Sequence, residues 1–262
     1  MLKVILFNIR GDDMHSIRRE KIRQYIEKKK EVSIRQLQEL CPDVSLMTIH
    51  RDLDALVDSG TIVKFRGGAK AVRHMGDPEF NVRMQENNSG KLVIARKALE
   101  LIQPHSAIFL DASTTNLALA RVLPDINVNV FTTGPSIALE LCRLHNPVVT
   151  LCCGTMNRKN LALSGQNTLE MLDKINIDLA FIGVSGCSME TGFTCGTESD
   201  MLVKRLVIEK ARKSVVMCSK EKLNCLMPYT FAHLSDVDVL ISDAPMPESF
   251  SEAALAAEVT LL

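Results

Sequence analysis

Five short stretches of the sequence end an apolar run in Ser, Thr, Gly or a cation, the residue types that hold anions. In IFLDASTTN, Asp111, Ser113, Thr114 and Thr115 separate an apolar run from a helix-like run. FTTGPS repeats the theme at Thr132, Thr133 and Gly134, and LCCGTMNRK supplies Gly154 and the cation Arg158. FIGVSG supplies Gly183, Ser185 and Gly186, and VVMCSK ends in Ser219 and Lys220. Hydroxyls and unpaired N–H groups at a helix start favour phosphate. One such turn signals only a helix cap. Five of them converging on one sheet edge with two cations form a pocket for an anionic small molecule.

A second chemistry is open to the same residues. Proton abstraction beside a carbonyl needs a tuned base and an oxyanion stabiliser. Asp111 and Lys220 could nominally fill those roles, but no compact Asp/Glu cluster lies in the strand-end turns. Capping a helix and holding an anion are their plainer roles, so no catalytic residue is expected. Metal chemistry is not expected either. Among the eight cysteines, Cys152 and Cys153 are adjacent, Cys218 and Cys225 stand seven apart, and no Cys-x-x-Cys occurs. Most sit in apolar runs, where Cys behaves as a small hydrophobe. The six histidines do not cluster. Reduced thiols of a cytoplasmic protein without a cofactor are the expectation.

A different chemistry lies in Ser45–Ala69, SLMTIHRDLDALVDSGTIVKFRGGA. Ser45 is a good N-cap, and Leu46, Ile49, Leu53, Leu56 and Val57 recur at helical spacing as one apolar stripe. Met47, Thr48, His50 and Arg51 point elsewhere, in the first turns where a groove-reading helix meets bases. Gly60 stops the helix, Thr61–Phe65 alternates like a strand, and Gly67-Gly68 turns it back, leaving Lys64 and Arg66 on a narrow basic ribbon. Ser45, Met47, Thr48, His50 and Arg51 are expected at base edges or adjacent phosphates, with Lys64 and Arg66 on the DNA backbone. Arg51 is alternatively a structural partner of Asp52 or Asp54 on its own helix.

The elements around these groups follow from the pattern. Ile17–Lys29 reads as a basic amphipathic helix with Ile17, Ile22, Tyr25 and Ile26 inward, and Ser33 caps a second helix carrying Ile34, Leu37 and Leu40. Three helices with a tight turn before the third, then a wing, make a winged helix-turn-helix. Charge divides in the same place. Residues 14–73 carry 13 Lys and Arg against 8 Asp and Glu, whereas residues 74–262 carry 16 against 21. The zero net charge thus hides a basic amino-terminal part suited to phosphates. Arg73–Gly90, polar and rich in breakers, reads as a linker in which Phe80 and Arg83 dock on a neighbour. From Lys91, helices and strands alternate to the end, which implies a mostly parallel sheet covered by helices. Met1–Phe7 is too short to span a membrane and lacks a signal-cleavage pattern, so residues 1–13 read as an extension and no membrane partner is expected.

With these motifs together, the sequence resembles the DeoR family of bacterial sugar-metabolism regulators across Ser16–Asp243. The marks are Thr-Ile-His-Arg-Asp-Leu at Thr48–Leu53, the Phe-Arg-Gly-Gly-Ala wing end, Leu-Asp-Ala-Ser-Thr-Thr at Leu110–Thr115, Cys-Ser-Lys ending at Lys220, and the pair Asp200 and Lys204. The resemblance implies a winged helix-turn-helix domain at 14–72, a linker at 73–90, and an α/β domain at 91–262. That α/β domain would be Rossmann-like, similar to ribose-5-phosphate isomerase, and would sense a phosphorylated sugar. Its effector residues would be Asp111, Ser113, Thr114, Thr115, Thr133, Gly154, Arg158, Ser185, Asp200, Lys204 and Lys220. The implied function is a regulator, expected as a repressor, that binds double-stranded operator DNA as a homodimer or homotetramer. The rival is a sugar-phosphate isomerase carrying a DNA-binding tether, and a purely architectural DNA protein is a third reading. The sequence departs from the family pattern at His50 for an Arg, Ser113 and Cys153 for glycines, and Ser185 for an aspartate. The added side chains are expected to narrow the pocket, and the lost carboxylate removes a hydroxyl ligand.

Overall fold

A computed structural model describes residues 11–29, 31–58, 62–71, 73–74 and 79–262. Residues 1–10 of the expected extension, and Gly60 and Thr61 at the end of the expected recognition helix, lie outside that set. The chain divides into two compact units, Met1–Arg73 and His74–Leu262.

The first unit has helices α1 (Gly11–Lys29), α2 (Ile34–Leu40) and α3 (Leu46–Asp58) and strands β1 (Glu31–Ser33), β2 (Ile62–Phe65) and β3 (Gly68–Ala71). Ser33 starts α2 through a reciprocal capping box, its Oγ accepting from Gln36 N–H while Gln36 Oε1 accepts from Ser33 N–H. β2 and β3 form the antiparallel wing, and β1 adds to its far edge, an element the sequence pattern did not show. β1 lies so close that a Cβ on Gly68 would stand 2.2 Å from Val32 O, so only glycine fits there. Ile22, Ile26, Leu37, Ile49 and Leu53 are fully buried together as the core.

Two expected core residues are instead exposed, Ile17 at 66% and Leu46 at 44%. Ile17 precedes Ile22 by five positions, which at 100° per residue turns it well away from the Ile22–Ile26 face. Leu46 opens α3, and helical side chains lean toward the N-terminus, which carries it past the end of the core. Helix α1 begins at Gly11, so the last residues of the expected extension are helical.

The second unit is built on seven parallel strands. In spatial order they are Thr260–Leu261, Val239–Ile241, Ala211–Met217, Ile177–Gly183, Ala107–Leu110, Asn129–Thr132 and Val148–Leu151. Side chains alternate between two buried layers. Ile108 and Leu110 pack with Ile94, Leu117 and Ile137 on one face, while Phe109 joins Val203, Val207 and Phe250 on the other. The chain starts in the middle at Ala107–Leu110, builds outward to Val148–Leu151, then returns to Ile177–Gly183 on the other side of the first strand. The reversal leaves a crevice at the carboxyl ends of those two neighbouring strands, where doubly wound sheets bind ligands.

Of the expected linker, residues 75–78 lie outside the described set, and most of the others are structured. Helix Phe80–Gln85 and the start of helix Asn88–Leu99 fall inside it, and Phe80 is 4% exposed within the core. Short, non-alternating strands also escaped the pattern. They are the hairpin Thr155–Asn157 with Ala162–Ser164, and an antiparallel sheet of Gly186–Ser188, Gly192–Cys195 and Tyr229–Ala232.

Candidate functional site

In the first unit, α3 is held by one face and offers the other. Ser45 Oγ accepts from Thr48 N–H at 3.2 Å and bonds the Thr48 hydroxyl at 3.0 Å, fixing the first turn. Met47 and Arg51 are exposed and His50 is half-buried, at the i, i+3, i+4 spacing that places side chains on one helix face. Asp52 faces inward, 1% exposed. Arg18 of α1 grips it with Nε at 2.5 Å and Nη2 at 3.2 Å, and Arg19 Nε adds a contact at 3.1 Å. The hydrogen bond to Asp52 raises the Arg18 pKa above its usual value. Lys64 of β2 reaches Asp54 at 2.5 Å and ties the wing to the helix. With Asp52 and Asp54 so engaged, Arg51 makes no ion pair among the described residues, and the structural-partner alternative for it has no support. The Arg18–Arg19–Asp52 clamp was not foreseen, since nothing local marks Asp52 as inward except its place beside Leu53.

In the second unit the crevice at the strand reversal holds a buried ion pair. Asp111 directly follows strand Ala107–Leu110, and Lys204 sits on helix Glu198–Lys210, 1% and 4% exposed respectively. Lys204 Nζ donates to Asp111 Oδ2 at 2.6 Å and to Gly183 O at 2.7 Å, with Asp200 Oδ2 at 3.5 Å. Gly183 N–H also donates to Oδ2, while Ser113 N–H and Asn116 Nδ2 donate to Oδ1. Four donors thus saturate the carboxylate. Burial pushes its pKa up, but the Lys204 charge and the hydrogen bonds outweigh that and hold it below the usual value. Burial likewise opposes charge on Lys204, and Asp111 and Asp200 more than offset it, keeping the ammonium above its usual pKa. Both groups stay charged around neutrality. Gly183 is demanded by close approach, because a Cβ there would stand 2.4 Å from Ser113 Cβ.

Two small cavities lie in the crevice, the first of them beside this pair. The first, about 20 Å³, is lined by Asp111, Ser113, Ser185, Asp200, Lys204 and Arg83 among others. The second, about 30 Å³, has Thr114, Thr115, Ser219, Lys222 and Lys91 in its wall, and Arg83, Ser113 and Val184 border both. A water needs roughly 10–15 Å³ of such space. The crevice therefore has room for only a few waters, with Ser113 and Ser185 in its wall, whereas Cys153 lines neither lobe. Thr114 starts helix Thr114–Val122 behind the Ser113 cap, so the helix N-terminus faces the second lobe. Lys91, 9% exposed, donates from Nζ to the carbonyls of Arg83 and Glu86. Burial, and next the charge of Lys222, lower its pKa to about 8.

Asp111, Ser113, Thr114, Thr115, Ser185, Asp200 and Lys204 each line one lobe or the other, while Thr133, Gly154, Arg158 and Lys220 line neither. Gly154 is structural, since at φ +147° a Cβ would meet Thr168 Oγ1 at 2.2 Å. Thr133 is buried, and its carbonyl accepts from Leu163 N–H. Arg158 and Lys220 are exposed, and Lys220 N–H bonds Asp243 Oδ1. The cations of the crevice are instead Arg83, Lys91, Lys204 and Lys222. Among the described residues there is no group of three or more His, Cys, Asp or Glu fit to hold a metal, and no helix is long and apolar enough to cross a membrane.

Comparisons with known proteins place the two units. Residues 18–74 match the DeoR-like helix-turn-helix domain, and residues 86–244 match the DeoR C terminal sensor domain. The HTH-type transcriptional regulator GlpR of Haloferax volcanii is 33% identical over 83% of this chain and 86% of its own. The HTH-type transcriptional repressor GlcR of Bacillus subtilis is 31% identical over 80% of this chain and 81% of its own. A solved ribose 5-phosphate isomerase A of Methanocaldococcus jannaschii is 19% identical with a TM-score of 0.39, over 53% of this chain and 55% of that one. By both of its domains and by its full-length relatives, the chain belongs to the DeoR family of DNA-binding transcriptional regulators.

Proposed function

We propose that the chain is a cytoplasmic repressor of sugar or carbohydrate metabolism genes, and that a phosphorylated sugar in the strand-end crevice changes its affinity for operator DNA. The observation carrying this is the pairing of a lobe that holds Arg83, Lys91 and Lys222 against Glu86 and Glu221 with a polar one. Lys91, Lys222 and the N-terminus of helix Thr114–Val122 suit a phosphate, while Ser185, Asp200 and the charged Asp111–Lys204 pair suit sugar hydroxyls next to it. Sugar-sized ligands need a few hundred Å³, so binding requires the crevice to open. On the DNA side, Met47, Thr48, His50 and Arg51 read the groove and Arg66 meets the backbone. Lys64 does so after exchanging Asp54 for phosphate. A homodimer or homotetramer would present paired α3 helices to paired half-sites.

Catalysis is the poorer reading. Asp111 accepts four hydrogen bonds and its pKa is held down, the opposite of a base poised near neutral pH. The GlcR name supports repression. The test is a thermal-shift screen of phosphorylated sugars against their unphosphorylated counterparts, followed by operator binding with any hit. Stabilisation by one phosphosugar, with a changed operator affinity, supports the proposal. Equal stabilisation by the unphosphorylated sugar removes the phosphate role. Transcription that falls rather than rises when the chain is deleted makes it an activator.

A further inference from the structure

Helix Phe80–Gln85 is the first helix to follow the DNA-binding unit in sequence, and its Arg83 borders both lobes of the crevice. Six residues are far too few to hold a helix by propensity, so its order depends on what pins it. One pin is Phe80, buried in the core, with its N–H donating to Lys159 O at 2.8 Å. The other is Lys91, whose Nζ donates to the carbonyls of Arg83 and Glu86, the latter at 2.7 Å. An ammonium has three donors. Two go to the helix, which leaves one for the lobe that Lys91 lines. Between the pins, the Arg83 guanidinium leans over the Phe80 ring, 6.0 Å from its centroid, at the rim of both lobes.

We propose that Phe80–Gln85 is a strap tightened by an anion in the crevice, which takes the third N–H of Lys91 and draws in the guanidinium of Arg83. The proposal rests on the anion-binding role given to the crevice and adds how its occupancy is passed on. Lys91 is the hinge of the device because one ammonium bonds both the strap and the ligand. Burial and the charges of Lys222 and Arg83 outweigh the compensation from Glu86 and Glu221 and lower its pKa to about 8, and an anion in the lobe adds compensation. Arg83 closes from above, so an occupied crevice holds the strap at its middle as well as at both ends. The chain that leaves the strap toward the DNA-binding unit then starts from a fixed point, and ordering of one segment becomes the currency of coupling.

The experiment is hydrogen exchange of the full chain across a titration with inorganic phosphate, with a thermal shift recorded at every concentration. The strap predicts that amide exchange over residues 80–86 slows by at least about fivefold, the lower end of typical couplings, in step with the rise in Tm. In Arg83→Met, the phosphate-dependent rise in Tm should shrink, and at phosphate concentrations that restore the wild-type rise the strap amides should still not slow. A rise in Tm with unchanged exchange at residues 80–86 overturns the strap and leaves the anion site standing. No rise in Tm and no calorimetric heat with phosphate overturn both together. Should Arg83→Met fail to fold, the wild-type titration decides, because the two signals must move in parallel.

Discussion

Asp52 and Asp111 are both 1% exposed, one in each unit, and each is bonded by a cation from a different element. Their surroundings differ. Around Asp52 the partners are two arginines of α1, which tie α3 to α1. Around Asp111 the partners are a lysine, two backbone amides and an asparagine, and a cavity opens beside it. A buried charge is therefore not by itself a sign of a binding site. Beside Asp52 the charge ties two helices together. Beside Asp111 it stands next to a cavity.

The sharpest way to break that contrast is to remove one partner from each carboxylate. Lys204→Met leaves Asp111 buried without its counter-ion and should cost about 3–5 kcal/mol in denaturant unfolding. The double variant Lys204→Met with Asp111→Asn should recover part of that loss. Acid acts in the same direction. The Asp111 pKa is lower in the folded chain than in the unfolded one, so its contribution is present above the unfolded value, near 3.9, and is lost as pH falls through the folded one. A loss below 1 kcal/mol would mean that the pair is solvated and the crevice already open.

Asp52→Ala should cost less, roughly 1.5–3 kcal/mol for lost charged hydrogen bonds, because Arg19 is 44% exposed and turns to water while Arg18 is left partly buried. DNA affinity should fall with it, although Asp52 faces inward, because α3 loses its clamp to α1. If stability falls and DNA affinity does not, the clamp has no part in presentation. Arg51→Ala should do the reverse. Affinity for operator DNA should drop by about 1–3 kcal/mol with an unchanged unfolding curve. An unchanged affinity would remove Arg51 from the interface.

What the sequence disclosed divides along the same line. The outward face of α3 is a local matter, legible because Ile49, Leu53 and Leu56 repeat at helical spacing and leave Met47, His50 and Arg51 over. The sheet was legible because its strands are short apolar runs between helix-length segments. The crevice was legible only in part. Asp111 and Thr114 stand at the end of a strand and so are fixed by local sequence, and Lys204 came only through the family pattern. Lys91 looks like any lysine in the first turn of an amphipathic helix, and its place in the crevice wall appears only when strand Ala211–Met217 and its following turn come alongside. Arg158 and Lys220 line neither lobe for the same reason. Each follows a strand, but which way a side chain leaves its turn depends on tertiary packing. Phe80–Gln85 was hidden because its polar, breaker-rich flanks resemble a linker.

Lys91 offers a prediction with two opposite signs. Its pKa is about 8 in the folded chain against roughly 10.4 unfolded. Between those values the unfolded chain binds more protons, so this group adds stability as pH rises. Anion binding needs the protonated form, so phosphate affinity should weaken above pH 8, by up to about tenfold per unit. Parallel calorimetric and unfolding titrations should therefore diverge. Affinity that stays flat from pH 7 to 9 would place the anion away from Lys91.

The smallest effect expected is on the wing. Lys64 and Asp54 meet at 2.5 Å, but Lys64 is 33% and Asp54 60% exposed, and ion pairs of that kind contribute about 0–1 kcal/mol. Lys64→Ala should leave stability within that range. It should change the salt dependence of DNA binding more visibly, because each phosphate contact releases condensed counterion, and the slope of log K against log salt should fall by about one. Asp54→Ala separates the two roles of the lysine. If Lys64 is only a strut between wing and helix, freeing it from Asp54 weakens binding. If it is a phosphate ligand held in reserve, the same change removes a competitor for its ammonium and strengthens binding at low salt. Opposite responses of the two variants would show that the wing, unlike the crevice, holds its charge ready for exchange with a partner.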